Sequence, residues 1–265
     1  MDLRHKYGTT ALIAGASEGI GAAFAEILAK NKIDLVLIAR RPQPLEKLAE
    51  ELKEKHNVNV CCISCDLSGD GALEEITDGL TGKEIDILIY NAALSHIGPF
   101  IEYNTKDYLN MMRVNMTTPL QMVHFFGDKM LKRRRGAIVL MTSLAGFQGS
   151  GYLSVYAATK AFNRVLAESL WYEWKENNVD VIACCAGATL TPGYIKSNPG
   201  NAGFFAPKVL RPSQLAEECL KKLGLKPAII PGRGNRLASF FMQRILPRKQ
   251  AIITMGDNTK RLYRL

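Results

Sequence analysis

Tyr156 and Lys160 stand four residues apart in Tyr-Ala-Ala-Thr-Lys, a spacing that puts both on one face of a helix. A free phenol ionises near pH ~10 and is a poor base at neutrality. An ammonium about 4 Å from the phenolate would favour it by roughly 4 kcal/mol at an effective dielectric near 20. That corresponds to about three pH units before desolvation reduces it. The pair is expected to pass a proton to or from a developing alkoxide near neutral pH. Ser143 precedes the tyrosine by thirteen residues, behind an apolar run, and Asn115 lies further upstream. Each has a plainer role open to it: a half-buried helix tyrosine, a strand-end serine, an asparagine kinking a long helix.

A second chemistry is legible near the N-terminus. Ala14-Gly15-Ala16-Ser17-Glu18-Gly19-Ile20-Gly21 follows an apolar run and opens into a helical pattern. Glycines there permit a tight turn, a close backbone approach to a pyrophosphate, and close helix–strand packing. The helix start presents unpaired N–H groups to the phosphates. This strand–loop–helix context favours nucleotide binding over an ordinary turn. The next apolar run ends in Ala39-Arg40-Arg41, with no acid to hold ribose hydroxyls and two guanidiniums suited to an added phosphate. The expected cofactor is therefore NADP(H), with Ser17 adding a hydrogen bond. Asp66-Leu67 is a candidate adenine contact, and a turn or helix cap is the competing role for that aspartate.

These groups need elements to hold them. Apolar runs at 10–14, 34–38, 58–63, 86–90, 137–142, 180–185 and 228–230 predict strands covered on both faces. Helical patterns fall at 19–30, 45–55, 71–80, 105–132, 153–176 and 212–223. The alternation predicts a single-domain α/β Rossmann-type fold: a doubly wound parallel sheet of about seven strands with helices on both faces. With 47% hydrophobic and 22% charged residues, the chain has enough apolar surface to exclude intrinsic disorder. The net charge of +9 is concentrated at one end, because residues 208–265 hold 13 basic and 3 acidic groups. No base-stacking motif accompanies that charge, so nucleic acid is not the expected partner. Cys62-Ile-Ser-Cys65 has CxxC spacing, but no second pair or suitably spaced histidine follows, and no metal is expected. No apolar run is long enough to span a membrane, and the first residues lack a secretory h-region, so a cytoplasmic location is expected.

The glycine loop, Asn91-Ala92-Ala93, Asn115, Ser143, Tyr156 and Lys160 together, in this order and spacing, resemble the short-chain dehydrogenase/reductases. The resemblance spans most of the chain. It implies that Ser143 holds the substrate oxygen, that Tyr156 is the general acid/base, and that Asn115 keeps a water-mediated relay to Lys160. It also implies that Lys160 hydrogen-bonds the nicotinamide ribose, and that Gly187 and Thr189 in Ala186-Gly187-Ala188-Thr189 lie at the nicotinamide carboxamide. A homodimer or homotetramer is implied as well. Three residues depart from the family pattern: Ala14 for Thr, Ala93 for Gly and Ala186 for Pro. The first removes a hydroxyl that supports the loop beside Asn91.

Within the family, the opening residues 1–8, Arg40-Arg41, residues 188–192 and Ser197-Asn198-Pro199-Gly200 resemble bacterial NADP-dependent 7β-hydroxysteroid dehydrogenases. The implied substrate is a hydroxysteroid or similar hydrophobic molecule. A fatty-acyl or small xenobiotic ketone would suit the same chemistry, and a non-catalytic NADP-binding regulator is the alternative of another class. Residues 193–210, with Tyr194, Phe204 and Phe205 among glycines, are the expected substrate loop. Residues 232–265 form a basic C-terminal extension whose apolar stretch 237–246 is flanked by Arg233, Arg236, Arg244, Arg248 and Lys249. It could touch an anionic membrane surface, pack on a partner subunit or close the site; its arginines could receive a carboxylate.

Overall fold

The computed structural model describes residues 2–197, 199–200 and 209–265. Seven strands pair in parallel: β1 (Thr10–Ala14), β2 (Asp34–Ala39), β3 (Val60–Ser64), β4 (Ile87–Tyr90), β5 (Gly136–Ser143), β6 (Val179–Ala186) and β7 (Ala228–Ile229). Their order is β3-β2-β1-β4-β5-β6-β7. The connecting helices begin with α1 (Leu3–Tyr7), α2 (Gly19–Lys30), α3 (Pro42–His56), α4 (Ala72–Gly79), α5 (Thr105–Met112) and α6 (Thr118–Lys132). They continue with α7 (Ser154–Trp174), α8 (Pro192–Lys196), α9 (Pro212–Leu220), α10 (Arg233–Phe240) and α11 (Arg248–Tyr263).

The continuous apolar runs are explained by two cores, one on each sheet face. Successive strand residues alternate between them. Ile13, Leu37, Ile89 and Val139 enter the core closed by Phe24 and Leu28 of α2, Leu45 of α3 and Leu215 of α9. Leu12, Val36, Leu88 and Ile138 enter the opposite core, closed by Ile76 of α4, Met122 and Phe126 of α6, and Ala167 of α7. Burying each such Leu, Ile or Phe contributes about 1.5–3 kcal/mol.

The order in which successive strands are added switches direction between β1 and β4, which leaves a crevice at the carboxyl ends of the strands. Ala14 pairs with Ile38 on one side and Tyr90 on the other, bringing the loops after β1, β2 and β4 to one edge. The predicted helix over 105–132 is interrupted. A wide π-turn, Arg113–Thr117, separates α5 from α6 and carries the buried Asn115. Pro119 in the first turn of α6 has no N–H for the carbonyl four residues back, which is that of Asn115. The third strand begins at Val60, two residues later than expected.

Candidate active site

Ser143 ends β5 and is the register partner of Ala186, the last residue of β6. That pairing sets the serine beside the Gly187–Thr189 segment. Tyr156 lies in the first turn of α7 and lines the same cleft as Ser143. Burial pushes the phenol above its ordinary range, the neighbouring Ser143 hydroxyl opposes this by favouring the phenolate, and Tyr263 of α11 raises it further. Lys160 is 2% exposed, and its Nζ donates to the Met141 carbonyl at 3.1 Å. Burial holds this ammonium down to about 8. Ser143, Tyr156 and Lys160 line one cleft of about 2610 Å³, together with Gly187, Thr189 and Tyr194.

One expectation is overturned here. The lysine was to depress the phenol, yet the phenol is raised. The ammonium turns to a strand carbonyl and sits 5.6 Å from the tyrosine ring centre. Desolvation is the larger effect on the phenol here. In this state the tyrosine is a protonated acid.

Asn115 is fully buried behind the cleft wall. Its Oδ1 accepts from the Leu94 N–H at 2.8 Å, and its Nδ2 donates to the Leu94 carbonyl at 2.9 Å and to Thr159 Oγ1 at 3.1 Å. Its side chain therefore ties the segment after β4 to α7.

A second cleft of about 400 Å³ adjoins the first and shares Ile20, Asn91, Ala93 and Thr191 with it. Gly15, Ser17, Glu18 and Gly19 form one wall, Arg40 and Arg41 a second, and Asp66, Leu67 and Ala92 a third. The loop is shaped as a backbone cradle. Gly15 has φ 79°, and a Cβ there would meet Ala92 N at 2.7 Å. A Cβ on Gly21 would lie 2.0 Å from the Gly15 carbonyl oxygen, so Gly21 serves helix packing and does not line the cleft. The start of α2 has no side-chain cap, so its first N–H groups remain for an anion. The missing Ala14 hydroxyl does not detach Asn91. Asn91 Nδ2 donates to the Gly15 carbonyl at 2.8 Å, and the Asn91 and Ala92 N–H groups both reach the Ala14 carbonyl at 2.9 Å.

Arg41 Nη2 is paired with Glu18 Oε2 at 2.9 Å across the cleft mouth. Asp66 accepts from Ser68 N and Oγ at 3.0 and 2.8 Å, which with nearby Arg40 lowers its carboxyl. It is a turn-forming residue that also faces the cleft, so both roles weighed for it are present. Gly187 is pressed by Asn235 of α10, whose Nδ2 would stand 2.7 Å from a Cβ there. Thr189 Oγ1 donates to the Gly187 carbonyl at 3.0 Å. Tyr194 is part of the short helix α8 in the expected loop, and Phe204 and Phe205 lie outside the described residues. Arg236, a candidate carboxylate receiver, is bound to Glu218 at 2.9 Å. The cradle, the free helix N-terminus and the twin guanidiniums suit a dinucleotide bearing an extra phosphate.

Sequence inspection missed Asn163, Asn235 and Tyr263. Only Asn163 had a local signal, a polar residue one turn after Lys160 on the same helix face. Asn235 and Tyr263 reach the site by tertiary packing of the C-terminal extension.

A parallel doubly wound sheet with Ser143 at a strand end and Tyr156 and Lys160 on the adjoining helix has the layout of a dehydrogenase. The short chain dehydrogenase family model matches residues 9–202, and the chain belongs to that family. It is 32% identical over 236 residues to the 7beta-hydroxysteroid dehydrogenase of Clostridium sardiniense, covering 89% of this chain and 90% of that one. A solved 7beta-hydroxysteroid dehydrogenase superposes with a TM-score of 0.90 at 30% identity, covering 96% of this chain and 99% of the other. A short-chain dehydrogenase from Sphingobium yanoikuyae in complex with NADPH gives a TM-score of 0.75 at 29% identity, covering 84% and 87%. The chain is thus an oxidoreductase acting on CH–OH and similar to 7β-hydroxysteroid dehydrogenases. Among the described residues, no helix is long and apolar enough to cross a membrane.

Proposed function

We propose that this enzyme interconverts a secondary alcohol and a ketone with NADP(H), on a hydroxysteroid or similarly flat hydrophobic substrate. The observation that carries the reading is the convergence of Ser143, Tyr156 and Lys160 on a cleft that continues past apolar side chains of α10 and its following turn, Leu237, Phe240, Phe241 and Ile245. Arg40 and Arg41 on the adjoining cleft support the 2′-phosphorylated cofactor. When bound, the cofactor supplies or accepts the hydride. Gly15, Gly19 and the N-terminus of α2 would hold its pyrophosphate, Arg40 and Arg41 its extra phosphate, and Gly187 and Thr189 its amide end.

The chain's own residues handle the proton. Ser143 orients the substrate oxygen beside the phenol, and Tyr156, raised by burial, gives its proton to that oxygen as the carbonyl is reduced. The Lys160 ammonium, one turn away, steadies the phenolate left behind. In the oxidative direction the phenolate takes the alcohol proton, helped by the neighbouring Ser143 hydroxyl.

The test is NADPH absorbance with a panel of keto-steroids, fatty-acyl ketones and simple ketones, run against NADH. Turnover confined to keto-steroids with NADPH is the expected result. Turnover confined to acyl or small ketones would overturn the steroid assignment, and NADPH binding without turnover across the panel would overturn the enzymatic one.

A further inference from the structure

Asn163 lies on α7, three residues beyond Lys160, and is 1% exposed. Its Nδ2 donates to the main-chain carbonyl of Asn115 at 2.8 Å. That carbonyl is available because the residue four positions on, Pro119, has no N–H to send to it. Asn115 is thereby held at both ends: its side chain grips Leu94 and Thr159, and its carbonyl is gripped by Asn163. The Thr159 hydroxyl donates onward to the Tyr156 carbonyl at 2.8 Å, so this buried polar chain ends on the backbone of the tyrosine.

The other end of the Asn163 amide is unpaired. Its Oδ1 is buried and has no hydrogen-bond partner among the described residues. A buried carboxamide oxygen is costly to leave so, and an ordered water is its usual partner in such a place. Helical side chains lean toward the N-terminus, so the Asn163 amide covers the turn that carries Lys160. Lys160 has three N–H donors, and its one hydrogen bond among the described residues is that to Met141. An orphaned acceptor and a donor with hydrogens to spare thus lie on one buried helix face.

We propose that Asn163 is a positioning residue for the proton chemistry: its N–H₂ fixes Asn115, and its oxygen holds a water that accepts from the Lys160 ammonium. The water keeps that ammonium charged and aimed along the cleft. Tyr156 is the titratable neighbour, and among the described residues no carboxylate forms an ion pair with Lys160. The inference rests on the oxidoreductase reading for its purpose, although not for its test.

Asn163→Leu keeps the shape and removes both polar ends, whereas Asn163→Ser keeps a small donor and acceptor. In cofactor-free protein with ¹³C-labelled lysine, NMR titration follows Lys160, and Lys160→Met identifies its signal. In N163L the lysine is expected to titrate about half a pH unit lower, roughly a threefold change in its ionisation constant. In N163S it is expected to stay near the wild-type position. In turnover, N163L is expected to lose about tenfold in kcat with both KM values within about twofold, and N163S to recover most of it. If N163L does not fold, Asn163→Ala carries the same titration. An unmoved Lys160 in the folded apolar variants overturns the proposal, even where melting temperature falls, because that pattern is packing alone. Failure of the wild type to turn over any ketone would sink the oxidoreductase reading and leave the titration to decide this one.

Discussion

Lys160 and Met141 are joined across the boundary between helix and sheet, the lysine Nζ donating to the methionine carbonyl at 3.1 Å. A fully buried ammonium therefore has a neutral partner in place of a carboxylate. A carbonyl dipole offsets only part of the desolvation of a charge, and the remainder appears as a lowered lysine.

That remainder has a pH signature. The folded value is about 8 against an ordinary 10.5, so between these limits the unfolded chain binds more protons and stability rises with pH. Below about 8 both states are charged and the full burial cost is present, at most about 3 kcal/mol. Lys160→Met is expected to raise the melting temperature relative to wild type at pH ~7, and the difference to shrink toward pH ~10. Thermal melts across that range check it; a constant difference contradicts the burial argument.

Tyr156→Phe removes one oxygen and leaves the ring's packing intact. Turnover is expected to fall by about 10²–10⁴-fold, with NADPH affinity by fluorescence titration nearly unchanged. A variant retaining more than about a tenth of the activity would remove the phenol from the mechanism.

The Ser143 hydroxyl beside Tyr156 opposes the upward shift of the phenol. In Ser143→Ala the phenol rises further. The alkaline fall in reduction and the rise in oxidation are both expected to move to higher pH, together with a loss in kcat. Rate profiles in the two directions test this, and an unshifted profile would confine Ser143 to holding substrate.

Arg41 is shared between Glu18 and the cleft. Arg41→Ala is expected to raise KM for NADPH by about 10–100-fold, the worth of a charge-assisted hydrogen bond, and to leave NADH nearly unaffected. Equal losses for both cofactors would show that Arg41 does not read the extra phosphate.

Gly21→Ala places a methyl 2.0 Å from the Gly15 carbonyl oxygen, inside a backbone-to-backbone contact. Loss of NADPH binding is expected, with melting lowered by several degrees. Unchanged binding would mean that the cradle yields more readily than its packing implies.

The limits of one-dimensional inspection are visible at particular residues. The strand runs were legible because both sheet faces are buried, which makes apolar character continuous; the third strand starts two residues later than expected because Val58 extends the apolar run back beyond the β2 pairing, which begins at Val60. The break at Asn115 was hidden because α5, the π-turn and α6 share one amphipathic pattern, and Pro119 is tolerated in a first turn. Spacing placed Lys160 beside Tyr156 but carried no information about the Met141 carbonyl that claims the ammonium.

By itself the sequence determined the sheet, the glycine cradle and the Tyr156–Lys160 pair, because these depend on local periodicity, backbone freedom and i,i+4 spacing, while Ser143 was implied by the family resemblance. Tertiary structure alone decided where the lysine points, how Asn163 clamps Asn115, and that Asn235 and Tyr263 of the C-terminal extension return to the site. Those outcomes depend on which buried polar group finds which partner across the fold, and desolvation, acting on groups far apart in the chain, makes that choice.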